Sequence, residues 1–216
     1  MSRLVDIRPE ETLTSALMFF YFFLITSPAY IIKPVRVSLF LGWLTSERLP
    51  YAYLLTALLI GLAVTLNTKL LHQLKRQLYI SFSLAFFISN LFLFWILFKS
   101  QWPWLSMIYW FWTDIFIATS ITQFWIVVND IYHPHQAKRL VGFFVSGGLL
   151  GGIVGSIIAS RLANIIGTEN LLLICPLMLF LSLVIVNLVY RSQPKKEKRA
   201  KVLKIEKPKA GYGQSF

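Results

Sequence analysis

The sequence predicts an all-α integral membrane protein that crosses the bilayer six times, and three observations carry that prediction. The chain of 216 residues is 56% hydrophobic and only 14% charged, with a mean hydropathy of +0.65, too apolar to cover itself with a water-facing surface. Six separate apolar runs each approach or reach the roughly 20 residues that a helix needs to cross a hydrocarbon core about 30 Å thick. The connections between them are short, which favours antiparallel neighbours packed as a bundle. Backbone that faces lipid must satisfy its own hydrogen bonds, so each run is read as a helix.

The first run is Leu13 to Ile32, with apolar sequence resuming as far as Leu44. The second is Leu49 to about Thr68, the third Leu78 to Phe98 and the fourth Trp104 to Val128. The fifth is Val141 to Ser160 and the sixth Leu171 to Val189. This divides the chain into a cytoplasmic N-terminus over residues 1–12, a membrane domain over 13–190 and a basic cytoplasmic tail or linker over 191–216.

Orientation follows from the positive-inside rule. Sixteen Lys and Arg residues lie in the leader, in the two even-side connections and in the tail; only Arg48, Lys99 and Arg161 lie in the opposite loops. Both termini are therefore expected in the cytoplasm. Without the tail the asymmetry is still seven against three. A cleaved signal peptide is not expected, because the first run is too long, no small-residue cleavage site follows it and the leader is net acidic. Trp43, Tyr51, Tyr53, Trp102, Trp104 and Trp125 lie mostly near span ends, as an interfacial belt does.

The net charge of +12 does not point to nucleic acid, since the cations sit in short gaps between apolar runs and in one tail. The tail reads first as a solvated linker and second as an anionic-lipid contact. The single cysteine, Cys175, lies within an apolar run and forms no intrachain disulfide. His133-Pro134-His135 lacks the further ligands that a metal site needs, and no catalytic triad is defensible, so neither a metal, a cofactor nor an enzyme is expected.

Charge inside a membrane is costly and usually functional, which singles out Lys33-Pro34-Val35-Arg36. Lys33 and Arg36 are three residues apart and project from one helix face. Pro34 removes a backbone donor and frees the carbonyl of Tyr30. Such a set suits an anionic substrate, with phosphate the natural match for Arg. The bland alternative ends the span at Ile32 and lets both cations snorkel to headgroups. Because Val37 to Leu44 is again apolar, a discontinuous helix around a cavity is the preferred expectation.

The fourth span carries Thr113, Asp114, Thr119, Ser120, Thr122 and Gln123. Thr119 and Gln123 share a face, and Asp114 points elsewhere. Asp114 is the acidic residue well inside a span, so it is the expected partner of Lys33 or Arg36, or a coupling-proton site; otherwise it is a buried neutral carboxyl. In the fifth span Gly147, Gly148, Gly151, Gly152 and Gly155 form overlapping small-xxx-small patterns suited to close helix packing.

Several of these residues occur in an order that resembles a known family. Tyr30-Ile31-Ile32-Lys33-Pro34-Val35-Arg36 followed by Leu49-Pro50 resembles the start of the ADP/ATP translocases of intracellular bacteria and plastids. Gln123-Phe124-Trp125, Asn129-Asp130 and Gln136-Ala137-Lys138-Arg139-Leu140 ahead of the glycine-rich span resemble that family's fourth-to-fifth helix region. The resemblance runs from about Thr12 to Ile158. It implies a major-facilitator plan of twelve helices, of which this chain supplies one half, and nucleotide exchange by alternating access in a bacterial inner membrane. It further implies that Arg36, with Lys33 beside it, handles substrate, that Asp114 falls near an acidic position on the fourth helix, and that Lys138 and Arg139 form a cytoplasmic gate or loop element; Tyr30 and Gln123 complete the candidate substrate-binding residues. Val37 stands where the family carries an acidic residue, a departure that bears on strict ATP/ADP specificity. The implied partners are the bilayer, an anionic substrate and a second six-helix half or homodimer mate. Two other functions share these features: a non-transporting scaffold that binds through the glycine face and tail, and a carrier of another organic anion.

Overall fold

The computed structural model describes residues 11–43, 46–73, 75–100 and 102–192. Most of the leader and of the basic tail expected at the two ends lies outside the described residues. Among the described residues there are six long helices and no strand. They are α1 (Thr12–Trp43), α2 (Leu49–Gln73), α3 (Arg76–Phe98), α4 (Pro103–Ile131), α5 (Pro134–Ile166) and α6 (Ile174–Arg191), the last entered through a short 3₁₀ turn at Asn170–Leu173. All six are long and apolar enough to cross a membrane.

The expected spans recur with moved ends. The fifth begins at Pro134, not at Val141, because proline at the first helical position costs no hydrogen bond and the Gln136 side chain accepts one from the backbone N–H of His133 (3.1 Å). Lys138 and Arg139 are consequently on the first turns of α5, not in a loop. The expected break in the first span is absent. α1 runs unbroken through both Pro28 and Pro34. Membrane helices tolerate proline where neighbouring helices compensate the lost bond, and the two cations are accommodated by tertiary partners instead of by an unwound segment.

α1 is the hub of the bundle. It packs against α4, α5 and α6, and it is the most buried of the spans, whereas α2 is the least. The α1–α5 contact is the closest. A Cβ on Gly147 would lie 2.7 Å from the carbonyl oxygen of Phe19, and one on Gly148 would lie 2.6 Å from the Phe22 ring. Gly151 approaches the backbone of Phe23, Gly152 the ring of Tyr30 and Gly155 the backbone of Ser27. The approach brings side chains of α1 onto backbone of α5: Thr26 Oγ1 donates to the carbonyl of Gly148 and Ser27 Oγ to that of Gly151, each at 3.0 Å. The glycine face is therefore occupied within the chain.

Boundary contacts close the end of the bundle where α1 and α5 begin. Glu11 accepts from Gln136 and Arg139, both at 2.5 Å, joining the start of α1 to the start of α5. Asp130, at the end of α4, pairs with Arg76 of α3 and accepts from the Tyr190 hydroxyl of α6 at 2.9 Å. Tyr132, in the turn between α4 and α5, lies within hydrogen-bond distance of the Ser15 hydroxyl (3.2 Å). Burial pushes its phenol above the usual range, with the Ser15 bond acting in the opposite direction.

Candidate functional site: a cavity and an ion pair on the first helix

Lys33 and Arg36 share one helix but meet different surroundings. Arg36 is buried, only 7% exposed, and its guanidinium pairs with the Asp114 carboxylate of α4 at 2.5 Å. The indole of Trp110 covers it at 4.2 Å from the ring centroid, a cation–π contact from the same helix as Asp114. In a low-dielectric interior an unpaired guanidinium would be prohibitive, and the pair cancels both charges. Arg36 thus arrives at the site already neutralised. It is not a free phosphate ligand.

Lys33 is different. It is half-buried, its ammonium lies 4.8 Å from the ring centroid of Tyr30, and it forms no ion pair among the described residues. Tyr30 and Lys33 line a cavity of about 250 Å³ between α1, α4 and α5. The opposite wall carries Ile117, Ser120 and Ile121 of α4 and Leu149 of α5. Thr26 also lines it, but its hydroxyl is committed to the carbonyls of Phe22 and Gly148. Ser120 Oγ has no hydrogen-bond partner among the described residues and is itself buried in that wall. The cavity therefore offers the Lys33 ammonium, the Tyr30 side chain and mostly apolar walls.

The remaining expected residues fall elsewhere. Gln123 is fully buried and does not line the cavity, and its amide makes no hydrogen bond among the described residues, the Tyr79 phenol included. That phenol donates to Asn67 (2.5 Å), and the Asn67 amide donates to Thr119 (3.1 Å), a polar chain joining α2, α3 and α4. Lys138 is exposed at the α5 start, and Arg139 is held by Glu11. Among the described residues no group of His, Cys, Asp and Glu could hold a metal ion, and Cys175 is buried and free.

Sequence reasoning did not single out Asn67, Tyr79 or Ser120 as partners in these clusters. Each is an ordinary polar residue in an apolar run. Only the packing of helices far apart in sequence brings them together.

A six-helix membrane bundle with a cavity against its first and fourth helices defines a class: half of a major-facilitator-type carrier. The model of the Major Facilitator Superfamily matches residues 12–214, and the chain belongs to that family of membrane transporters. No curated protein and no solved structure matches the chain.

Proposed function

We propose that this chain forms one half of an alternating-access carrier for an anionic, phosphorylated solute, with a second six-helix unit or a second copy completing the path. Nucleotide exchange is the specific form that the sequence resemblance suggests. The observation that carries the reading is Lys33, a cation inside the span with no acidic partner among the described residues, facing a cavity between α1, α4 and α5. A charge so placed is expensive unless a ligand uses it. Rocking of two halves about a midplane site is the way such cavities alternate.

One observation favours a second reading, a carrier of an organic anion other than a nucleotide. Arg36 is cancelled by Asp114 and the cavity walls are mostly apolar, so this half offers a polyphosphate a single cation.

Transport by proteoliposomes holding this chain with its second half separates these possibilities. Lys33→Gln is expected to lower uptake efficiency about 10- to 100-fold, the equivalent of one charge-assisted contact, while Lys33→Arg retains most of it. Competition by ATP or ADP supports exchange of nucleotides. Competition by apolar carboxylates alone supports the second reading. Uptake that is indifferent to Lys33→Gln would sink both.

A further inference from the structure

A second cavity, of about 390 Å³, lies at the C-terminal end of α1. Its lining includes Phe40 of α1, Tyr51 and Ala52 of α2, Trp104 and Met107 of α4, and Arg48 on the 3₁₀ turn before α2. Arg48 is exposed and forms no ion pair among the described residues, its sequence neighbour Glu47 included. Phe40 and Ala52 belong to a small apolar cluster with Trp110, whose ring is 4.8 Å from Phe40 and meets Tyr53 edge-on at 5.2 Å. The same Trp110 covers Arg36, which is held by Asp114. Along α1 the order is therefore a cavity with one unpaired cation, a neutralised ion pair, an aromatic cluster, and a second cavity with one unpaired cation.

We propose that the Arg48 cavity is an anion-collecting vestibule on the path to the Lys33 cavity, closed from it by Phe40, Trp110 and the Arg36–Asp114 pair. The proposal rests on the transport reading and adds to it a capture residue, Arg48, and a named barrier. A cation at the mouth of a low-dielectric cleft concentrates anions there and repels cations. The barrier suits that role because it is apolar toward the vestibule and carries no net charge, so an anion that Arg48 attracts gains nothing by stopping at Arg36. The mouth lies in the connection after the first of six spans, which puts it on the side opposite the termini.

The test uses thiol labelling of the full-length chain in sealed membrane vesicles, and the protein's only cysteine, Cys175, is fully buried. With Cys175 replaced by alanine, Met107→Cys is reacted with two impermeant methanethiosulfonates. One carries a sulfonate and the other a trimethylammonium group, and both rates are normalised to those of a simple thiol. Tyr51→Cys, at a position 74% exposed, reports access to the mouth.

From the face opposite the termini, the anionic reagent is expected to react about tenfold faster than the cationic one at Met107→Cys. Arg48→Gln is expected to erase that preference, and inorganic phosphate to slow the anionic reaction. The proposal is overturned if Met107→Cys is inert, which would mean a dry or lipid-filled groove. It is also overturned if the two reagents react equally, if Arg48→Gln changes nothing, or if labelling comes only from the face of the termini. Labelling needs no turnover: a chain that labels as expected but transports nothing when paired with its second half refutes the transport reading alone, and a pair that transports without this pattern refutes the vestibule alone.

Discussion

Asp114→Ala is expected to destabilise the folded chain by about 3–5 kcal/mol, the cost of leaving a buried guanidinium without its counter-charge. Arg36 has nowhere to go. It is 7% exposed, Trp110 lies over it, and its Nε makes no hydrogen bond among the described residues. Denaturant titration of the purified protein in detergent measures the effect. The double variant Arg36→Met with Asp114→Leu is expected to recover most of the loss, because two apolar side chains of similar size remove both charges at once. If Asp114→Ala unfolds with the wild-type midpoint, the ion pair is not a buried element of the fold. A full recovery of stability accompanied by lost transport would separate the pair's packing role from any part in the substrate path.

The second large effect is expected at the α1–α5 contact. In lipid, helix association depends on close packing and interhelical hydrogen bonds, since the surrounding chains are as apolar as the helices. A side chain at Gly151 would meet the Phe23 backbone at 2.5 Å and collide with the Thr26 hydroxyl, neither of which is a flexible tip. Gly151→Leu is therefore expected to force the helices apart and break the Thr26 and Ser27 bonds. It should yield protein that is not monodisperse by size-exclusion chromatography. Gly151→Ala should cost about 1–3 kcal/mol, as overpacking generally does. Gly142→Ala, also on α5 but with nothing within 4 Å of the added carbon, is the control expected to leave the elution profile unchanged. A monodisperse Gly151→Leu with wild-type stability would show that α1 and α5 do not approach this closely.

The six spans were legible in the sequence because crossing a bilayer demands a length of apolar sequence, and that demand is local. That Asp114 would pair with one of Lys33 and Arg36 was among the readings the sequence allowed, because few charges lie inside spans; which of the two it meets was not legible. What Lys33 and Arg36 do separately was not legible. Three residues apart on one helix, they read as a single basic pair, yet α4 neutralises one of them and a cavity receives the other. The continuity of α1 through Pro34 was missed because the sequence shows the lost hydrogen bond and not the neighbours that compensate it. Glu11 and Asp130 were likewise beyond local reading. Glu11 counted only as leader acidity and Asp130 only as part of a family motif, while their partners Arg139 and Tyr190 lie 128 and 60 residues further on.

The central place of α1 also bears on how the protein is made. Synthesis delivers α1 before the other five helices, but its closest partner α5 and its neighbour α6 come late among them, and the bonds from Thr26 and Ser27 span 122 and 124 residues. Until α4 emerges Arg36 lacks Asp114, and until α5 emerges the small-residue face has no helix to meet. Of these six helices the one made earliest is thus the last to complete its contacts. It must be held at the insertion machinery, or at the membrane boundary with Arg36 in water, through most of translation.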